Sequence, residues 1–420
     1  MKRIVLTGAY CSKNKGDAAM RIAAVRAIKK SLPDACVTIL TPYPEIDRSV
    51  YDGSRIVHCS RREPRKAIGV LTRVLLWSLA CRTLRSDLRR LANTDEIRSY
   101  MDADLIVDLS GDGLTEEYGT KCTLSHLVPI VIGLILGKPV FLCAQTIGPF
   151  RKTSVLARSV LNRVTAISVR ERLSLTTIQR SGITRPKLYL AGDMAFLLEP
   201  CAADHARDLL VSEGIDVARP LVGMSVARLP GHVLELGRKC FGPREFESTV
   251  AGMADLIVEK LNADVVLISH ATGPGVRRDD REVAKAVHLM CRRGDSVHVI
   301  EGDYSPSELK GIIGQMALFI GLRMHSNIAA LSMNVPTIAV AYGPKARGIM
   351  SLAGQEKYVL DLPQLSVKAL FSMVERAWAE REEMKSDLAQ STGRMRALCA
   401  RNLEIIAELL DGAGYPRETA

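Results

Sequence analysis

The chain has 420 residues, 47% of them hydrophobic and 25% charged, with a formal net charge of +11. That length exceeds one ordinary domain and falls short of three, and the composition excludes a disordered or fibrous chain. The positive balance favours anionic partners, and ten scattered cysteines without a CxxC pair or zinc-like Cys/His spacing argue for a reducing compartment, not a disulfide framework.

Met1-Lys2-Arg3 leads into Ile4-Val5-Leu6, too short an apolar run for a signal peptide, so a first strand is expected over Arg3–Gly8. A polar loop follows, then a helix from about Asp17 to Lys30 closed by Pro33. In Asn14-Lys15-Gly16-Asp17 the glycine permits a tight turn and Asp17 can cap the helix. If that loop faces a ligand, Asn14 and Asp17 can hold a sugar hydroxyl. Aliphatic runs at Cys36–Leu40, Leu105–Leu109, Pro139–Ala144 and Ala166–Val169 read as buried strands. The helical stretches between them imply βα units and a parallel sheet.

Between Arg61 and Arg90 there are nine basic residues against Glu63 and Asp87 alone. Val70, Val74, Trp77, Cys81, Leu84 and Leu88 fall on one helical stripe, with Arg82, Arg85 and Arg89 on another. Two readings follow: a helix packed on its own domain with a solvated basic edge, or an interfacial helix making a peripheral membrane contact through residues 61–90. The most apolar stretch, Ile68 to Leu84, is interrupted by Arg73 and Arg82 and falls short of the ~20 apolar residues that a span requires. The patch lacks interleaved aromatics, so no nucleic-acid partner is expected.

Two glycine-bearing loops follow strands in this half: Ser110-Gly111-Asp112-Gly113 and Gln145-Thr146-Ile147-Gly148-Pro149. Asp112 could accept a hydroxyl proton, and Gln145 adds a hydrogen-bonding amide. Neither loop is a GxGxxG fingerprint or a P-loop, so no nicotinamide or ATP cofactor is expected. Asp102-Ala103-Asp104 mimics a metal-binding DxD but precedes its strand, so no metal is expected either.

After Pro200 the pattern restarts, with strands expected over Leu221–Val226, Asp264–Ser269, Val297–Ile300, Leu318–Gly321 and Thr337–Ala341. Ser305, Pro306 and Glu308 spell a capping box with proline at the first helical position. Cys201–Arg219 is expected to carry the crossing between domains, and the chain is helical and charged from Ser366 to Leu410. The expected architecture is two doubly wound, Rossmann-like α/β domains, residues 1–200 and 201–365, with helices over 366–420 that could return to the first domain. Ligands of such sheets collect at the carboxyl ends of strands, here in a cleft between the domains.

The sharpest loop is Leu322-Arg323-Met324-His325-Ser326-Asn327, directly after a strand. A guanidinium, an imidazole and the positive end of a helix together suit a phosphate or carboxylate. Tyr342-Gly343-Pro344-Lys345 could bring a lysine to the same anion. His270, followed by Thr272-Gly273-Pro274-Gly275, is a weaker candidate that a plain surface loop explains as well.

Taken in order, these loops resemble the polysaccharide pyruvyl transferase family. The resemblance rests on Asn14-x-Gly16-Asp17, Gly111–Gly113, Thr146-Ile147-Gly148-Pro149, Val169-Arg170-Glu171 with Ser174, Gly192-Asp193-Met194-Ala195-Phe196, Arg323-Met324-His325 and Ala341-Tyr342-Gly343-Pro344-Lys345. It implies a GT-B-like fold and transfer of the pyruvyl unit of phosphoenolpyruvate onto two hydroxyls of a polysaccharide or lipid-linked sugar, giving a cyclic ketal and phosphate. It implies His325 as the acid and Arg323 as the donor's anion partner. Lys345, Arg170 and Ser326 join the donor side, and Asn14, Asp17, Asp112 and Gln145 the acceptor side. Phosphoenolpyruvate is then a co-substrate, no cofactor is needed, and the enzyme works in the cytoplasm or at the inner face of the membrane. A nucleotide-sugar glycosyltransferase or epimerase, or a non-catalytic anion- or glycan-binding protein, would use the same architecture. The acceptor sugar and the oligomeric state stay open.

Overall fold

A computed structural model of the chain describes residues 1–8, 10–51, 53–83, 93–227 and 244–412. Two compact units emerge: Met1–Ser12, Met20–Met194 and Leu398–Ala420 make the first, Lys13–Ala19 and Ala195–Ala397 the second.

The first unit is built on seven strands: β1 (Arg3–Thr7), β2 (Cys36–Thr41), β3 (Arg55–His58), β4 (Leu105–Asp108), β5 (Val140–Gln145), β6 (Ala166–Val169) and β7 (Lys187–Leu190). All pair in parallel, in the order β3-β2-β1-β4-β5-β6-β7. Most of α1 (Lys15–Ser31) belongs here, with α2 (Pro44–Asp47), α3 (Pro64–Thr83), α4 (Asp95–Asp102), α5 (Thr120–Ile135), α6 (Ser154–Leu161) and α7 (Arg172–Arg180). Every residue of β5 is buried, as expected for a central parallel strand covered on both faces. Val5, Ile106, Leu142 and Ile167 face Leu127 and Ile130 of α5 in one aliphatic cluster. The DxD carboxylates brace the start of β1: Asp104 accepts from the Arg3 N–H at 2.7 Å, and Asp102 lies 3.8 Å from its guanidinium.

The stripe on α3 faces inward. Val70 and Val74 are 7% and 0% exposed and join the core, with Trp77 packed against it, so the packed-helix reading fits these positions. Leu84, Leu88, Arg85 and Arg89 lie outside the described residues, as does the side chain of Arg82.

The second unit holds β8 (Leu221–Val226), β9 (Asp264–Ser269), β10 (Val297–Val299), β11 (Leu318–Gly321), β12 (Thr337–Ala341) and β13 (Val359–Asp361), again all parallel, ordered β10-β9-β8-β11-β12-β13. Its helices are α8 (Ala203–Ser212), α9 (Glu245–Leu261), α10 (Arg281–His288), α11 (Pro306–Ile313), α12 (Met324–Ser332), α13 (Pro344–Leu352) and α14 (Val367–Ala379). The capping box at Ser305 forms in full, each partner answering the other's backbone N–H. Residues 201–219 form no crossing: they contain α8, which packs on α11, and the chain passes between units at 194–195. The last helix, α15 (Arg381–Leu410), enters the first unit's territory at Leu398. There the buried Asn402 donates to the Ala191 carbonyl at 2.8 Å and accepts from Ser168 at 2.6 Å. Among the described residues no helix is long and apolar enough to cross a membrane.

Candidate functional site

Strand order reverses between β1 and β4 in the first sheet and between β8 and β11 in the second. Loops leaving such neighbours diverge and open a crevice at their carboxyl ends. Each unit has a polar cluster at that place.

In the second unit the β11–α12 loop is held from below by Ser225, the fifth residue of β8. Its hydroxyl accepts from the Leu322 N–H at 3.1 Å and meets Ser326 Oγ at 2.7 Å, while Ser326 also donates to the Arg323 carbonyl at 2.6 Å. Ser326 is therefore buried and braces the loop. Arg323, the N-cap residue of α12, extends to Asp280 and makes a fork: Nε to Oδ2 at 3.0 Å and Nη2 to Oδ1 at 2.7 Å. Asp280 is fully buried, whereas 26% of the Arg323 side chain stays exposed. His325, in the first turn of α12, is half-buried too.

The Lys13–Ala19 segment completes this cluster. It lies against the strand-end loop after β9: Asn14 bridges Ala271, the Lys15 N–H donates to the His270 carbonyl at 3.0 Å, and the Thr272 N–H donates to the Lys13 carbonyl at 2.8 Å. The ammonium groups of Lys13 and Lys15 both bind Asp303, which also accepts from Thr272 Oγ1 at 2.8 Å. Gly16 abuts the imidazole of His325, and a Cβ at this position would overlap the ring. The helix cap is Asn14, not Asp17: Asn14 Oδ1 accepts from the Gly16 N–H at 3.2 Å and its carbonyl accepts from the Ala18 N–H at 3.0 Å. Asp17, in the first turn, is half-buried.

Charge in this cluster is balanced locally but not fully. Lys13, Lys15, Arg281 and Arg323 face Asp279, Asp280 and Asp303, leaving a positive excess. Burial lowers the Lys15 pKa, against the opposing pull of Asp303. Asp303 is held well below the usual carboxylate range, since the lysine hydrogen bonds outweigh its burial. His270 is pushed down to about 3, first by burial and then by the neighbouring His325, Arg323 and Lys15, so it is neutral at physiological pH. Lys345, at the start of α13, is buried with its ammonium 5.4 Å from the Tyr342 ring centre. Part-exposed cations beside a helix N-terminus and an imidazole can hold a small, multiply charged anion and deliver a proton to it.

In the first unit, Gly8 closes β1 at φ +90°, and a Cβ there would strike the Asp108 carboxylate. Asp108, with its pKa raised by burial, accepts from Thr7 Oγ1 at 2.9 Å and from the Ser110 N–H at 3.0 Å. Gln145 is fully buried: its Nε2 donates to the carbonyls of Asp108 at 2.9 Å and Cys143 at 3.1 Å, and its Oε1 accepts from Ser110 at 2.8 Å. The amide reserved for an acceptor thus staples the ends of β4 and β5 together. Arg170 is fully buried as well, with Nη1 2.7 Å from Asp193 and Nε 2.9 Å from Thr146 Oγ1. Burial opposes its charge, but Asp193 outweighs that and keeps the guanidinium protonated. The positive field expected of Arg170 is answered within the unit. Asp112 is half-buried and accepts from the Tyr118 hydroxyl at 2.7 Å. His126, packed under Gly113, is pushed down to about 3 by burial and next by Arg61.

Asp280, Asp303, Ser225 and His126 were not singled out as site residues from the sequence. Asp303 has a usable signal, an acid in the loop after a strand; Asp280 sits in the charged run Arg277-Arg278-Asp279-Asp280 with nothing to set it apart, and His126 sits mid-helix with no signal. Among the described residues no group of three His, Cys, Asp or Glu side chains is placed to hold a metal ion.

Two parallel, doubly wound sheets with polar strand-end loops and a long carboxyl-terminal helix define a GT-B-like protein. The UDP-GlcNAc 2-epimerase of Neisseria meningitidis shares this fold with a TM-score of 0.60 at 12% identity, covering 98% of this chain and 100% of that one. A putative UDP-N-acetylglucosamine 2-epimerase from Listeria monocytogenes aligns with a TM-score of 0.58 at 14% identity, over 96% of each chain. Within that architecture the sequence is decisive: residues 14–344 match polysaccharide pyruvyl transferase, and the chain belongs to that family. The amylovoran biosynthesis protein AmsJ of Erwinia amylovora is 23% identical over 98% of this chain and all of its own length.

Proposed function

We propose that the chain transfers the pyruvyl unit of phosphoenolpyruvate to a sugar of a polysaccharide or lipid-linked glycan, with the second unit's cluster as the donor site. The observation that carries this reading is the pairing of part-exposed Arg323 and His325 at the N-terminal turn of α12, amid three further cations and three carboxylates. Arg323, aimed by Asp280, binds the donor's anionic groups, and Lys345 adds to the field. His325 gives its proton to the methylene carbon of the enol phosphate, turning CH2 into CH3 and leaving an oxocarbenium-like centre. One sugar hydroxyl adds to that carbon and loses its proton. The carbon–oxygen bond to phosphate then breaks, phosphate departs with the bonding pair, and the second hydroxyl closes the ketal, giving its proton to the departing phosphate. Asn14 and Asp17 are the acceptor contacts this reading retains in the second unit. Ser326 and Gln145 act by bracing the loops.

Incubation of the protein with phosphoenolpyruvate and a panel of glycan and lipid-linked acceptors tests the proposal. Phosphate release matched by an acceptor mass gain of one pyruvyl ketal is the expected result. Consumption of a nucleotide sugar with phosphoenolpyruvate untouched would overturn it.

A further inference from the structure

Helix α3 has a second face that the core does not use. Ile68, Leu75, Leu76 and Leu79 are 63%, 53%, 51% and 58% exposed, an unusual concentration on one helix of large apolar side chains in water. At 100° per residue these four fall within an arc of roughly 100°, opposite Val70 and Val74, and the stripe runs about 17 Å along the axis. On one flank of the stripe lies a cavity of about 750 Å³ between α2, β3, α3 and α4. Arg48, Arg55, Arg65, Lys66 and Arg73 line it.

The carboxylates nearby do not cancel this charge. Asp95 reaches Arg55 at 3.6 Å, Glu63 is shared between Lys66 and His58, and Glu96 is turned inward onto Ser60. Among the described residues Arg48, Arg65 and Arg73 have no carboxylate within ion-pair distance, and all three are exposed. An apolar stripe edged by uncompensated guanidinium groups matches the two layers of an anionic bilayer surface: acyl chains under the leucines, phosphates against the arginines.

We infer that the outer face of α3 and its basic cavity dock the protein onto an anionic lipid membrane. The inference uses the first unit alone and is independent of the transfer chemistry. Anionic lipid heads neutralise Arg65, Lys66 and Arg73 while Ile68, Leu75 and Leu76 enter the headgroup boundary. Binding is peripheral and weakens as salt screens the phosphates.

Vesicle flotation of the full chain tests this. At low salt the protein is expected to rise with phosphatidylcholine/phosphatidylglycerol vesicles and to stay behind with phosphatidylcholine alone. The Arg65→Glu/Arg73→Glu pair and the Leu75→Ser/Leu76→Ser pair should each weaken flotation roughly tenfold or more, with the circular dichroism spectrum unchanged. No flotation with anionic vesicles at low salt overturns the inference, as does flotation that neither pair of substitutions affects. Sedimentation showing a dimer that Leu75→Ser/Leu76→Ser dissociates would assign the stripe to a second copy of the chain and overturn it equally.

Discussion

Both units gather arginine, aspartate and histidine near the carboxyl ends of the strands of a parallel sheet, and they use them oppositely. In the first, Arg170 and Asp193 are both fully buried and face each other, Gln145 ties the ends of β4 and β5 together, and His126 is half-buried under Gly113. In the second, Asp280 is buried but its arginine keeps 26% of its side chain exposed, and His325 is half-buried. The same residue types therefore fasten one crevice and furnish the other. Exposure of the cationic partner is what separates them.

Breaking the sealed pair should have the largest effect. Arg170→Met leaves Asp193 charged and unpaired in the interior, and urea unfolding is expected to show a loss of about 3–5 kcal/mol. A loss under 1 kcal/mol would show that the pair does not fasten the sheet. His325→Ala should do the reverse: turnover falls at least ~100-fold while the urea midpoint holds. Near-wild-type turnover would remove His325 from the chemistry.

Two histidines, one in each unit, sharpen the comparison through pH. His126 and His270 both titrate near 3 in the folded chain, against an ordinary value of 6.5. Between those values the unfolded chain binds the extra proton, so stability rises with pH and is lost as pH falls below about 6.5. Each contributes a slope of up to about 1.4 kcal/mol per pH unit in that window. His126→Gln and His270→Gln should each flatten the dependence of the urea midpoint between about pH 7 and pH 5. An unchanged slope would show that the histidine is protonated when folded. The smallest effect is expected at the capping box, where Ser305→Ala should cost about 1 kcal/mol. A neutral result there would mean that Glu308 or water replaces the cap.

The central strands were legible because their residues are buried on both faces and read as unbroken aliphatic runs. Ala166–Val169, Leu221–Val226, Asp264–Ser269, Leu318–Gly321 and Thr337–Ala341 have the same ends in sequence and structure. Three of the four edge strands were not legible: Arg55–His58, Lys187–Leu190 and Val359–Asp361 are short, begin or end on charged or polar residues, and lack such a run, whereas the fourth, Val297–Val299, was expected over Val297–Ile300. The Arg323-Met324-His325 loop was visible because it joins a clear strand to a small-residue helix. The docking of Lys13–Ala19 against residues 270–272 was not, since backbone pairing between segments this far apart leaves no local trace. On α3 the inward stripe could be read from period alone, but the outward leucines sit among arginines and blur the pattern.

Gly16 has a consequence for variation in this protein. The residue is tied to position 16 by steric proximity to a ring, so even the smallest side chain would force the imidazole to swing aside. The opening of α1 thus acts as a calliper that fixes the depth of the His325 ring. Changes at residue 16 would be felt as a displaced imidazole while the sheets stay intact.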